Sequence, residues 1–395
     1  MSERPFVSFD NTEIGFANMS HSELHHAYRL FLMMSQNWLV DLGTKFAPSL
    51  IKIPFLPTNY LIKNTIYKQF VGGESIRDSH KVIAKLDAYG VKAILDYGIE
   101  AVENERELER TAQYLVKVID HAREDGQVSI ISSKITGLIR QSILEKVSSG
   151  DHLSNEEEEE YERGKSRVRF ICKTAAENDI QIYFDAEESW IQPAIDMIVE
   201  EMMESYNTNK VIIFQTVQLY RKDKLSYIHH LYEDARKNNY LLGLKIVRGA
   251  YLEKENDRAK QMGYESPIKP TIESTHRDYN LALDFCLDHL DYISVCNATH
   301  NEDSCYFLVK EVDEKKLPRD HPHIITGQLY GMSDNISFNL AAAGFNVAKY
   351  LPFGRVNEVF TYLMRRAQEN KSVSGQIGRE LKMLKSEIAR RKALK

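Results

Sequence analysis

The feature that most constrains this chain is an alternation that begins near residue 90 and continues to about residue 351. A short run rich in β-branched and aromatic residues is followed, again and again, by a longer segment with helical spacing. The strand-like runs fall at residues 92–97, 128–134, 180–185, 211–218, 242–247, 293–298, 323–328 and 348–351. Parallel strands need long crossovers, and a helix is the usual crossover, so this pattern predicts consecutive βα units. Eight such strands close a barrel, and the expected fold is therefore α/β, a (β/α)8 TIM-type barrel. A doubly wound dinucleotide-binding sheet would want a GxGxxG turn after its first strand, and the sequence has none.

The pattern sets the expected organisation of the 395 residues. Residues 1–85 read as an N-terminal helical arm, with Ser22 as the N-cap of a helix over residues 23–42. Residues 86–375 read as the barrel, and residues 376–395 as a basic amphipathic C-terminal helix with Leu381, Leu384 and Ile388 on one side. With 43% hydrophobic and 27% charged residues the chain can bury a large core, and a net charge of only −6 gives no reason to expect a nucleic-acid partner. The apolar run at residues 31–42 is broken by Ser35, Gln36, Asn37 and Asp41, so it reads as a packed helix rather than a membrane span. No basic stretch with an apolar core and cleavage site opens the chain, which makes a cytoplasmic location the expectation. A peripheral contact at the inner face of a membrane, through the basic tail, is the alternative to a tail that simply packs on the barrel. The four cysteines, Cys172, Cys286, Cys296 and Cys305, have neither CxxC nor metal-finger spacing and read as reduced, buried thiols, with no metal site expected. The acidic run at residues 156–160 reads as a solvated helix face.

In a barrel of this kind chemistry belongs where strands end and βα loops begin. The predicted strands end on Lys134, Asp185, Gln218, the loop after Lys245, Thr299 with His300, Gln328 and Tyr350. Lys134 and Asp185 end successive strands, so they are expected to be neighbours, with the carboxylate orienting a partly desolvated ammonium. Residues 350–370, YLPFGRVNEVFTYLMRRAQEN, punctuate a strand end with Pro352 and Gly354 and then start a helix. On it Tyr362, Arg365, Arg366 and Glu369 recur at three- and four-residue spacing, so two guanidinium forks can aim at one carboxylate with Glu369 steadying one of them. A surface ion-pair helix is the bland reading of the same spacing.

This segment resembles the signature of the proline dehydrogenase family, in which a Tyr-x-Pro strand end leads into Tyr-Leu-x-Arg-Arg and then Glu-Asn. The other landmarks follow in the family's order: Lys134 in SKITGL, Asp185 opening DAEES, Gln218 in VQLY, Lys245 opening KIVRGAY, Thr299 and His300 opening THNED, and Leu329 in GQLYGM. The likeness spans roughly residues 90–372 and is to the stand-alone type, without a DNA-binding segment or an aldehyde dehydrogenase half.

The resemblance implies non-covalent FAD in contact with Ala186, Gln218, Lys245, Arg248, Gly249, Ala250, Thr299 and His300. The residue types agree: Gly249 permits close backbone approach, and Arg248 supplies charge for a pyrophosphate. It also implies L-proline as substrate, with Lys134, Arg365 and Arg366 on the carboxylate, Leu329 and Tyr350 lining the pocket, and Asp185, Lys245 and Lys134 as the catalytic groups. Lys245 stands where bacterial members often carry Arg. The implied activity is hydride transfer from L-proline to FAD, giving pyrroline-5-carboxylate, the first step of proline catabolism, with a quinone or another acceptor reoxidising the flavin. Two rivals are a flavin barrel acting on hydroxyproline or a folate, and a catalytically silent barrel kept for binding. The amino-acid clamp argues against a folate, Tyr350 against hydroxyproline, and the filled clamp and cofactor positions against a silent barrel.

Overall fold

The computed structural model describes residues 6–36, 58–99, 101–372 and 376–394. Eight strands close a parallel barrel in sequence order: β1 (Val91–Tyr97), β2 (Ile130–Ser133), β3 (Gln181–Phe184), β4 (Ile213–Gln218), β5 (Leu242–Val247), β6 (Ile293–Ala298), β7 (Ile324–Leu329) and β8 (Val347–Phe353). Every predicted strand is present. The second is shorter than expected and the eighth longer, because register with its neighbour decides where a strand stops and apolar composition does not. The chain divides by contact into two compact units, residues 99–326 and residues 1–98 with 327–395.

In the unit of residues 99–326, β2 to β6 run side by side with Ser132 opposite Tyr183, Tyr183 opposite Phe214, and Thr216 opposite Lys245. Side chains alternate along each strand, so one register places all of these on one face. The Tyr183 and Phe214 rings meet on it at 4.3 Å between centroids. The other face takes helices, among them Asn155–Glu177, Gln192–Tyr206, Lys224–Asn238 and Ile272–Asp288. Gln215 of β4 shows the division: its amide donates to Asp196 of the second of these helices at 2.6 Å. The acidic run opens the helix Asn155–Glu177 under a capping box between Ser154 and Glu157. Acid at a helix N-terminus is favourable, and Glu157 and Glu160 also reach back to Lys146 and Arg140, while Glu156, Glu158 and Glu159 face water. All four cysteines are buried and unbridged, and burial pushes the thiols of Cys286, Cys296 and Cys305 up to about 12.

In the unit of residues 1–98 with 327–395, β1 pairs with β8 over their full length, from Val91 opposite Val347 to Tyr97 opposite Phe353. The arm opens with the helix His21–Met34, whose cap is Ser20 rather than the expected Ser22. Ser20 is extended, its hydroxyl accepts from the Glu23 N–H, and Glu23 returns a bond to the Ser20 N–H at 2.7 Å. That reciprocal box needs the acid three residues after the cap, which only Ser20 satisfies. The helix is described to Met34, and the remainder of the predicted span lies outside the described residues. Leu24, Phe31, Phe70, Leu363 and Leu384 form a core cluster, with Phe31 and Phe70 edge to face at 6.2 Å. Burying each such side chain contributes roughly 1.5 to 3 kcal/mol. Leu384 and its neighbours belong to the tail helix Gln376–Ala393, whose apolar side is therefore spent inside this unit. Among the described residues no helix is long and apolar enough to cross a membrane.

A buried charge pair of this unit is formed by the fully buried Lys349 of β8, whose ammonium lies 2.7 Å from Asp334 and donates to the Met332 carbonyl at 2.6 Å. Removing one member of a buried pair leaves the other charge stranded. Lys349→Met is expected to destabilise the protein by about 3 to 5 kcal/mol, read by urea unfolding, and a loss below about 1 kcal/mol would mean that the pair is idle.

Candidate active site

Asp185 is the first residue after β3, and its N–H donates to the Ser133 carbonyl at 2.9 Å, which carries the parallel ladder one residue beyond the strand. Since Ser132 stands opposite Tyr183, the two-residue period turns Lys134 and Asp185 to the same face. Lys245 of β5, opposite Thr216, shares it. The result is a trio. Asp185 Oδ2 accepts from Lys134 Nζ at 2.9 Å, and Oδ1 accepts from Lys245 Nζ and from Ser132 Oγ at 3.1 Å.

The side chains of Lys134, Asp185 and Lys245 are only 8%, 14% and 8% exposed, so little water screens them. Burial opposes ionisation of Asp185 most strongly, but the two ammonium groups together outweigh it and hold the carboxyl well below the usual carboxylate range. The trio is thus a cluster of charges held in a poorly hydrated place.

The residues expected to touch a cofactor follow the ends of β3 to β6. Ala186 is buried next to Asp185 in the chain, and Gln218 ends β4 with its Oε1 buried and unpartnered. Thr216 Oγ1 and Tyr183 Oη, on the same face, are likewise buried without a partner. After β5, Arg248 donates through Nε to His276 Nδ1 at 2.8 Å, through Nη1 to Thr299 Oγ1 at 2.6 Å, and through Nη2 to Ser304 Oγ at 2.9 Å. Its guanidinium also lies 4.3 Å from the Tyr279 ring centroid. None of these partners carries a negative charge, and burial lowers the Arg248 pKa. Gly249 has φ of +135°, and a Cβ there would collide with the Tyr220 ring, so only glycine fits. Ala250 is exposed beside it, and His300 is half-buried beside Thr299. The sequence offered no sign of His276 and Ser304, because both reach Arg248 from helices remote in the chain.

The remaining expected residues lie in the other unit. Lys349 points toward Asp334 of the helix Asp334–Ala342, so Tyr350, one residue on, takes the opposite face of β8. Its carbonyl accepts from the Tyr330 N–H at 2.9 Å, beside the half-buried Leu329. The end of β8 is braced by the arm: Gly72 N–H donates to Pro352 O at 2.8 Å, Gly354 N–H donates to Gly73 O at 2.9 Å, and Tyr67 Oη donates to Gly354 O at 2.7 Å. The helix Phe360–Ser372 follows. On it Arg366 is buried with its guanidinium 5.0 Å from the Tyr362 ring centroid, and Arg365 is half-buried. The shared side predicted for Tyr362 and Arg366 is therefore real, while the Glu369 side chain lies outside the described residues.

A closed eight-stranded barrel with a buried charge cluster where its strands end defines a βα-barrel enzyme. The profile of the proline dehydrogenase family matches residues 79–379. A mitochondrial proline dehydrogenase 1 of Dictyostelium discoideum is 32% identical over 95% of this chain and 74% of its own length. A hydroxyproline dehydrogenase of Xenopus laevis is 32% identical over 84% of the chain and 78% of its own. Among solved structures, proline utilization A from Bdellovibrio bacteriovorus, inactivated by N-propargylglycine, superposes with a TM-score of 0.74 at 19% identity over 96% of this chain. That likeness speaks for the fold, and the chain spans 41% of that longer protein. The chain belongs to the proline dehydrogenase family, whose members are oxidoreductases, and the family implies a flavin. The residues present fit one: Arg248 has only neutral partners and suits a phosphate, and Gln218 Oε1 is an unpartnered buried acceptor.

The depressed pKa of Asp185 has a pH consequence. Stability from a lowered carboxyl pKa is fully present above the unfolded value, near 3.9, and is lost as pH falls through the folded value. Asp185→Asn is expected to be less stable at neutral pH by about 3 to 5 kcal/mol, and to lose less than the wild type on acidification below about pH 4. Urea unfolding across that range decides it, since parallel pH curves for the two proteins would show that Asp185 is not ionised by the lysines.

Proposed function

We propose that this chain oxidises L-proline to pyrroline-5-carboxylate, with non-covalent FAD as the first electron acceptor. The observation that carries the reading is the dry Lys134–Asp185–Lys245 trio, two ammonium groups fixed at the strand ends of a barrel of this family. A free amino acid brings a carboxylate for such ammonium groups to hold. Lys134 binds it, Asp185 fixes the direction from which the ammonium points, and Arg365 and Arg366 are assigned the remaining carboxylate contacts. FAD, when bound, supplies the hydride acceptor. Arg248 is assigned to its pyrophosphate, and Ala186, Gln218, Lys245, Gly249, Ala250, Thr299 and His300 to the rest of its contacts.

A quinone is the proposed final acceptor, and the cytoplasm the proposed location. Any membrane contact rests on the basic residues of the tail helix, because its apolar side packs within its own unit. Three of those residues are already engaged: Arg379 pairs with Asp10 at 2.8 Å, Arg391 donates to the Phe16 and Met19 carbonyls at 2.8 and 2.7 Å, and both Arg390 and Arg391 pair with the fully buried Glu387.

Anaerobic titration with L-proline tests the assignment, with bleaching of the visible flavin band as the expected result and an unchanged spectrum as the result that overturns it. In the same assay Arg365→Met and Arg366→Met are expected to keep the flavin and weaken proline binding by about 2 to 5 kcal/mol each, and wild-type affinity in both variants removes the arginines from the site.

The relative named for hydroxyproline gives the substrate question its point. Tyr350 favours proline, because an added ring hydroxyl would meet its aromatic face and lose water without gaining a partner. Tyr350→Ser is expected to lower kcat/KM with proline and to narrow the preference for proline over hydroxyproline by about 1 to 3 kcal/mol. An unchanged preference in side-by-side kinetics would take Tyr350 out of the pocket.

A further inference from the structure

The turn that carries Lys134 is held by a second acid, which belongs to neither the charged trio nor the expected site. Behind Lys134 comes a single 3-10 turn, Ile135–Gly137, in which the Gly137 N–H donates back to Lys134 O at 3.1 Å. Thr136 stands in the middle of that turn. Glu187, two residues past Asp185, accepts from the Thr136 N–H at 3.1 Å and from Thr136 Oγ1 at 2.5 Å. Glu187 is itself held: its N–H donates to Gln192 Oε1 at 2.7 Å, and Gln192 Nε2 donates to Asp196 Oδ1 at 2.7 Å. Thr136 passes the constraint on, since its Oγ1 accepts from the Ala101 N–H at 3.2 Å and its carbonyl from the Val102 N–H at 3.1 Å. Ala101 sits at φ of +54°, an unusual conformation for a residue with a side chain, which these bonds help to hold. Thr136, Glu187 and Gln192 are all buried.

We propose that Glu187 is a positioning residue for Lys134, clamping the turn behind it so that the ammonium meets the substrate carboxylate from a fixed direction. The inference rests on the proline-oxidising reading above and deepens it. Asp185 fixes the tip of Lys134, and Glu187 fixes its base. A long, flexible side chain needs both, because an ammonium tethered only at its tip swings with its backbone.

The clamp is also sensitive to pH in the neutral range. Burial pushes the Glu187 carboxyl up to about 7, against the hydrogen bonds from Thr136 and the positive charge of Lys134, with Glu188 beside it pushing the same way as burial. Gln192, the contact from the helix Gln192–Tyr206, is neutral and leaves that balance alone. Above about pH 7 the ionised carboxylate accepts both Thr136 bonds. Below it one oxygen carries a proton, and Thr136 Oγ1 must then receive a donor while it still accepts from Ala101. The ionised form is therefore the tighter clamp, and proline affinity should rise as pH passes upward through that value.

The test uses the full-length flavin-loaded protein with Glu187→Gln, Glu187→Ala and Thr136→Val, in proline kinetics against pH and in equilibrium binding of cyclopentanecarboxylate. This probe has a carboxylate but no amine carbon to oxidise. The wild type is expected to show a step near pH 7 in KM and in probe affinity, and Glu187→Gln to lack it, behaving at alkaline pH as the wild type does at acid pH. Glu187→Ala should raise KM about tenfold or more with a smaller fall in kcat, and Thr136→Val should fall between it and the wild type. If Glu187→Ala does not fold, Glu187→Gln and Thr136→Val decide the question. A step retained in Glu187→Gln, or wild-type probe affinity in Thr136→Val and whichever Glu187 variants fold, would overturn the proposal. A wild type that binds the probe with this pH step but is not reduced by proline would instead sink the substrate reading and leave the clamp standing.

Discussion

One carboxylate between two ammonium groups organises this protein. Asp185 draws together the ends of β2, β3 and β5, and it does so where water is scarce enough for the charges to be felt. The strand registers place Lys134 and Lys245 on one face, with Asp185 within reach of both. Burying such a cluster is costly unless each member has a fixed partner, and Asp185 is that partner for both.

The loop that carries Asp185 is tethered along its length. Asp185 ties it to two strands, Glu187 to the turn after β2, Glu188 to Lys254 at 2.8 Å, and Ser189 to Glu255 through its N–H at 2.7 Å and its hydroxyl at 2.5 Å. Glu255 is fully buried to make that contact. Of the five residues in DAEES only Ala186 has no polar side-chain role. Loops are usually the mobile parts of a barrel, and this one resembles a strut. Catalysis by positioning depends on that stiffness, because small displacements of an oriented charge lower rates steeply.

Much of this was legible in the sequence, for identifiable reasons. The eight strands could be read because buried parallel strands are apolar along their whole length and contrast with helical spacing. Lys134, Asp185 and Lys245 could be singled out because they stand at strand ends. Their mutual pairing could only be half read: Lys134 with Asp185 follows from adjacent strands, whereas Lys245 comes from a strand two further on, and its reach depends on the barrel's register. Ser20 was missed in favour of Ser22, although the acid three residues later was visible. Glu187 was inside a quoted motif yet silent, because its meaning lies in a hydrogen bond to a residue 51 positions away. Arg248 could be read as a charge, but its neutral cradle of His276, Thr299 and Ser304 could not.

The pairing of β1 with β8, braced by the backbone of residues 72 and 73 and by Tyr67, bears on the order in which the chain assembles. These partners lie at opposite ends of the sequence. A chain emerging from the ribosome can pack residues 99–326 against one another while the last strand is still unmade, whereas the β8-facing edge of β1 and the arm must wait for a partner more than two hundred residues downstream. Until then that edge of β1 and the apolar faces of the arm stay uncovered and open to wrong partners. The helix that bears Arg365 and Arg366 follows β8 directly, so the seam that closes the barrel is also among the last parts of the molecule to be put in place.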